Sequence, residues 1–133
     1  MKEILQALTE NPTFYLATVS PEGPRVRPFG FAMEYEEKLY FITSSDKDVF
    51  KQLKANSHVE ICSTPKDGMA WMRLKGKAVF DSRKEIIKKA FEAAPVLAQI
   101  YQTSDNPVVS MFYIAEGEAT FYSFMDQPKT VKL

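Results

Sequence analysis

Arg25-Val-Arg-Pro-Phe29 places two guanidinium groups, Arg25 and Arg27, two positions apart in a stretch that reads as a β-strand. Alternate residues of a strand share a face, so both side chains lie on one side. Two arginines so placed repel each other in the open and are costly to bury without anions. One reading is a pair of solvated charges. The other is a site for phosphate or for the edge of a flavin, because guanidinium presents a planar fork of donors.

Thr43-Ser-Ser-Asp-Lys47 is the second segment with chemical content. It joins the end of a strand to the start of a helix, where hydroxyls, free backbone N–H groups and a lysine suit an anion. Asp46 and Asp48 already offer negative charge there, so ordinary capping is the competing reading, with Ser45 as N-cap. The segment has no glycine and is not a P-loop.

His58 is the only histidine and Cys62 the only cysteine. There is no second histidine or cysteine to build a ligand cluster on, so no metal site is expected. His58 reads as a surface or packing residue and Cys62 as a small buried hydrophobe. No serine stands in a Gly-x-Ser-x-Gly setting. The acidic pairs Glu36-Glu37 and Glu116/Glu118 fall in turns and read as solvated. No catalytic residue is assigned.

These segments must be held by the rest of a 133-residue chain, which suggests one domain over 1–133. A chain of this size buries roughly 68% of the surface it exposes when unfolded, so it needs no disulfide or metal. Apolar residues make up 45% and aromatics 13%, enough for a core. Seventeen basic and seventeen acidic side chains cancel, which removes long-range attraction to nucleic acid or anionic lipid. No apolar run approaches the ~20 residues of a membrane helix. No secretory signal is visible at Lys2-Glu-Ile-Leu-Gln6, and the single thiol fits a reducing compartment, so the expected location is the cytoplasm.

Hydrophobic periodicity places a short helix over 2–10, with Ile4, Leu5 and Leu8 on one face. Strands follow over Thr13–Val19 and Pro24–Met33, joined by the turn Ser20-Pro-Glu-Gly23. Pro28 lacks a ladder donor, so its strand should be an edge, a bulge or a place where something else lies alongside. A third strand spans Leu39–Thr43, and Val49, Phe50 and Leu53 mark a helix over Asp46–Ala55. Strands at His58–Ser63 and Met69–Phe80 precede a helix opening at Ser82, which Pro95 breaks before Val96, Leu97 and Ile100 resume a helical face. Ser110–Ala115 and Glu118–Phe124 read as a hairpin around Glu116-Gly117. The expected class is mainly β with flanking helices: an antiparallel barrel of roughly seven strands, closed to remove vulnerable edges.

FYLATVSPEGPRVRPFGF, LYFITSSDKDVFKQLKANSHVEI, WMRLKGKAVFDSRKE and GEATFYSF, in this order, resemble the pyridoxamine 5′-phosphate oxidase-like superfamily of FMN-binding split β-barrels. The resemblance runs over nearly the whole chain, and it is strongest to the short members grouped with nitroimidazole-reductase-like proteins. It implies FMN as cofactor and a homodimer with FMN at the subunit interface. It implies flavin contacts from Arg27, Pro28, Phe29 and Gly30 with Arg25 close by, from Ile42, Thr43 and Ser44, and from Lys47 at the helix start. A family glutamine near the ring falls on Trp71, which cannot copy an amide's hydrogen bonds.

The implied function is an FMN-dependent oxidoreductase exchanging electrons with a small molecule. A nitroaromatic or quinone-like acceptor is what the subgroup suggests. The alternatives are a non-catalytic flavin-binding or flavin-sensing module, and a split barrel that takes haem or a deazaflavin. A true pyridoxamine-phosphate oxidase is not expected. The helical segment from Lys84 to Pro95 lacks the Tyr/Arg/Ser cluster of those enzymes, and the chain stops at Leu133 without their tryptophan- and arginine-bearing extension.

Overall fold

In the computed structural model, which describes residues 1–133, the chain forms twelve elements. They are α1 (Lys2–Glu10), β1 (Phe14–Ser20), β2 (Gly23–Phe29), β3 (Met33–Tyr35), β4 (Lys38–Ser44), α2 (Asp48–Ala55), β5 (His58–Ser63), β6 (Ala70–Phe80), α3 (Lys84–Ala93), α4 (Val96–Tyr101), β7 (Val109–Ser123) and β8 (Lys129–Lys132). One antiparallel sheet runs β2-β1-β5-β6-β7-β4-β3, with β8 pairing to β7. It is a split barrel, mainly β with flanking helices. No helix is long and apolar enough to cross a membrane.

Four expectations need correction. The sheet is not closed: β2 and β3 end the strand order. Pro28 therefore sits on an edge strand, where its missing N–H is tolerated. The expected strand Pro24–Met33 is two strands, broken at 30–32. Gly30 passes close to α1's exit, since a Cβ there would lie 3.4 Å from the Pro12 carbonyl oxygen.

The expected hairpin at Glu116-Gly117 is instead a bulge within the single long strand β7. Both halves of β7 pair with β6, and the register slips between Lys75 and Lys77. Glu116 takes φ +53° to allow this. Gly76 lies opposite, where a Cβ would meet Ile114 Cγ2 at 2.5 Å and the Ala115 carbonyl at 2.8 Å. The basic tail 129–132 forms β8 against β7. Finally, Cys62 is half-buried on the outer sheet face rather than buried, because its strand alternates with Val59, Ile61 and Ser63 pointing inward.

Two apolar cores explain the strand patterns. The barrel interior holds Phe14, Leu16, Leu39, Phe41, Ile61, Leu74 and Phe112, sealed by Ile4 and Leu8 of α1 and by Val49 and Leu53 of α2. The second core packs Ile86, Ile87 and Ala90 of α3 and Leu97 and Tyr101 of α4 on Tyr40, Ile42 and Met111. β4 is buried almost continuously because its two faces serve the two cores.

Tyr40 is fully buried, and its hydroxyl donates to Asp81 Oδ2 at 2.9 Å. Burial first, and the bond to Asp81 second, push its phenol up to about 12 from the ordinary value of 10.0. A raised acid favours the protonated native state, so this contribution is complete below pH 10 and is lost as pH rises through 12. Tyr40→Phe is therefore expected to make the alkaline loss of stability between pH 10 and 12 shallower, measured by denaturant melts across that range. An unchanged pH dependence would exclude Tyr40 as a contributor.

Candidate functional site

The Arg27 strand, the 42–47 turn and α4 converge on one cleft of about 240 Å³. Seven of the ten expected site residues line it: Arg27, Pro28, Phe29, Gly30, Ile42, Thr43 and Lys47. The cleft lies where the two cores meet, since Phe29 and Val49 belong to the barrel side and Ile42, Leu97 and Tyr101 to the helical side.

Arg27 enters from β2, half-buried. Its Nη1 donates to Thr18 Oγ1 at 2.9 Å and to the Leu16 carbonyl at 3.3 Å, and its Nη2 donates to Gln52 Oε1 at 2.5 Å. Burial pulls its pKa below the ordinary arginine value, and the nearby Asp48 carboxylate partly offsets this. The side chain remains a cation at neutral pH.

Lys47, not Ser45, occupies the N-cap position of α2, and no side chain caps that helix. The capping explanation of the 43–47 segment is thereby removed. An exposed ammonium stands at a helix start whose first-turn amides lack a side-chain acceptor.

Thr43 is 2% exposed, and its Oγ1 is the one buried side-chain polar atom without a hydrogen-bond partner. Leaving such a hydroxyl unpaired costs about 1–3 kcal/mol. Thr43 is among the residues that line the cleft, which makes its hydroxyl a candidate partner for a polar ligand atom there.

Three expected residues are elsewhere. Arg25 is exposed and outside the lining. Ser44 is buried beside the cleft and bonds Asp46 Oδ1. Trp71 lies in a separate groove, stacked on Tyr122 with ring centroids 5.3 Å apart. Conversely, sequence reasoning did not place the α4 wall of Val96, Leu97, Ile100 and Tyr101 in the site. The helical face was legible, but nothing local says what it covers. Val96 and Ile100, each more than half exposed, form its rim. Tyr101 is nearly buried. Burial, with the Asp46 charge adding, raises its pKa and keeps it a neutral phenol.

A larger concavity of about 690 Å³ lies on the outer face of β1, β2, β5 and β6. It contains Cys62, His58 and the paired charges Lys77 and Glu116, but no unsatisfied buried atom. The chemistry favours the smaller cleft.

A family model described as pyridoxamine 5′-phosphate oxidase matches residues 1–123. A NimC/NimA family protein from Clostridium acetobutylicum is 41% identical, with a TM-score of 0.94 over all of this chain and 92% of that one. General Stress Protein 26 from Bacillus anthracis shares the fold at 16% identity, with a TM-score of 0.78 over 99% of this chain and 97% of its own. So does the general stress FMN/FAD binding protein from Xanthomonas citri, at 17% identity and a TM-score of 0.71, covering 98% and 87%. No curated protein matches the chain. With nearly its whole length matched and a close full-length structural relative, the chain belongs to the pyridoxamine 5′-phosphate oxidase family, alongside NimC/NimA proteins.

Proposed function

We propose that the chain binds FMN in the Arg27–Thr43–Lys47 cleft and acts as a flavin-dependent oxidoreductase of small molecules. The observation that carries this reading is the unpartnered Thr43 hydroxyl set in a cleft that also holds two cations and an apolar wall. Arg27 and Lys47 would hold the phosphate, with Ser44 and Arg25 as outer contributors of the same turn and strand. Phe29, Ile42 and Leu97 would exclude water from the ring, and Thr43 would bond a polar ring or chain atom. The flavin supplies the electron or hydride chemistry when bound. Tyr101 would keep its proton beside it.

At about 240 Å³ the cleft is below the ~300–1,000 Å³ of ordinary ligand sites, which supports a flavin site shared between two chains. A homodimer would complete it, with Trp71 reaching a ring through the second copy. Tyr15, Val26, Phe124 and Met125 leave apolar surface exposed for such a contact. Light scattering of the FMN-loaded protein is expected to give twice the chain mass; a concentration-independent monomer would contradict the dimer.

The absorption spectrum after incubation with FMN is the direct test. One flavin per chain is expected, reducible by NADH or NADPH and reoxidised by a nitroaromatic or quinone. No uptake from excess FMN would end the reading; uptake without turnover would leave a flavin-binding module. Pyridoxamine 5′-phosphate is not expected to be a substrate. α3 carries Lys84, Glu85, Lys88, Lys89 and Glu92 around a buried Ile86/Ile87/Ala90 stripe and lacks the Tyr/Arg/Ser cluster of the true oxidases. Turnover of that substrate with oxygen at ~1 s⁻¹ or faster would overturn this.

A further inference from the structure

We infer that Gln52 of α2 is a positioning residue that presents the Arg27 guanidinium to an anion, an inference that rests on the phosphate reading of the cleft. Gln52 Oε1 accepts two hydrogen bonds, from Arg27 Nη2 at 2.5 Å and from Thr18 Oγ1 at 2.6 Å. The Thr18 oxygen in turn accepts from Arg27 Nη1 at 2.9 Å. Arg27, Thr18 and Gln52 thus form a closed ring of three bonds, and Thr18 is 2% exposed.

Donor accounting shows what the ring leaves free. A guanidinium has five N–H groups. With the Leu16 carbonyl, three are used, which leaves the Nε–H and one Nη2–H. Nε and Nη2 flank one edge of the group, the geometry that takes a phosphate through two parallel bonds. The tether therefore occupies one edge and leaves a bidentate edge unspent.

The chemistry of the tether also matters. An amide oxygen fixes the guanidinium without neutralising it, whereas a carboxylate at 52 would cancel the charge that an anion needs. Gln52 shares its helix with the N-cap Lys47, so the same rigid element sets the spacing of both cations. Freed of the tether, Arg27 would regain rotamers and lose pre-organisation.

The test uses apo-protein, with flavin affinity read by fluorescence quenching and Arg27 Nη rotation read by NMR. Gln52→Ala is expected to weaken FMN about tenfold, the size of one lost charge-assisted bond, to leave riboflavin within about twofold, and to speed Arg27 rotation. Equal losses for FMN and riboflavin, or unchanged rotation, would overturn the inference. Gln52→Glu, of nearly the same volume, guards against a folding failure. It is expected to keep Arg27 restrained yet bind FMN more weakly than the wild type, and equal or tighter binding would overturn it. If the wild type bound no flavin, the cofactor reading would fall. Inorganic phosphate, followed on the Arg27 resonances, would then decide: weaker phosphate binding by Gln52→Ala upholds the tether, and no change rejects it.

Discussion

Arg27→Ala is expected to weaken FMN binding by about 10- to 150-fold, the range for losing a hydrogen bond to a charged group. Riboflavin, which has no phosphate, should be affected far less. The contrast matters because Arg27 is also structural: it bonds Thr18, the Leu16 carbonyl and Gln52. Its removal therefore disturbs the wall of the cleft for either ligand, and only the ratio of the two losses reports phosphate recognition. Lys47→Ala gives an independent check. Lys47 makes no comparable internal bond and is exposed, so its loss should leave stability unchanged while weakening FMN in the same selective way. Equal losses of FMN and riboflavin in both variants, measured by equilibrium titration, would remove the phosphate assignment.

Phe112→Ala should be the most destabilising single truncation near the site, by about 3–5 kcal/mol. Phe112 is fully buried near the start of β7 and stacks on Phe41 at 5.5 Å, with Phe80 at 5.6 Å and Phe29 at 6.3 Å. Its ring joins three strands, β4, β6 and β2, so neighbouring elements cannot easily collapse into the space left. For a domain of this size the melting temperature should fall by roughly 10–20 °C. Phe112→Leu, which keeps most of the volume, should lose much less. The effect should also reach the cleft, because Phe29 lines it and rests edge-on against Phe112. A loss below about 1 kcal/mol in denaturant melts would show that this aromatic cluster is not the centre of the barrel core.

Much of the chain is legible in its sequence, for a local reason. Period-2 and period-3.6 patterns, the Asn11-Pro12 stop and the Pro95 break depend on neighbours in sequence, and α1, β1, β4, α2, β5 and β6 fall within a few residues of where those signals put them. The chemical types of the site were local as well. Arg27, Thr43 and Lys47 stand at a strand and a strand–helix junction, and they do converge.

What the sequence left open depends on pairings between distant segments. Glu116-Gly117 has the composition of a turn, yet it becomes a bulge because β6 offers one long partner to both halves of β7. Nothing near residues 96–101 says that this helix walls the Arg27 cleft, nor that Trp71 faces a different groove. The Arg27–Thr18–Gln52 ring joins β2, β1 and α2, so no spacing rule could reveal it. Short-range sterics and hydrophobic periodicity thus chose the elements and the residue types. The tertiary structure decided which side chains meet, because burial and hydrogen-bond satisfaction are settled only when the sheet and its helices pack together.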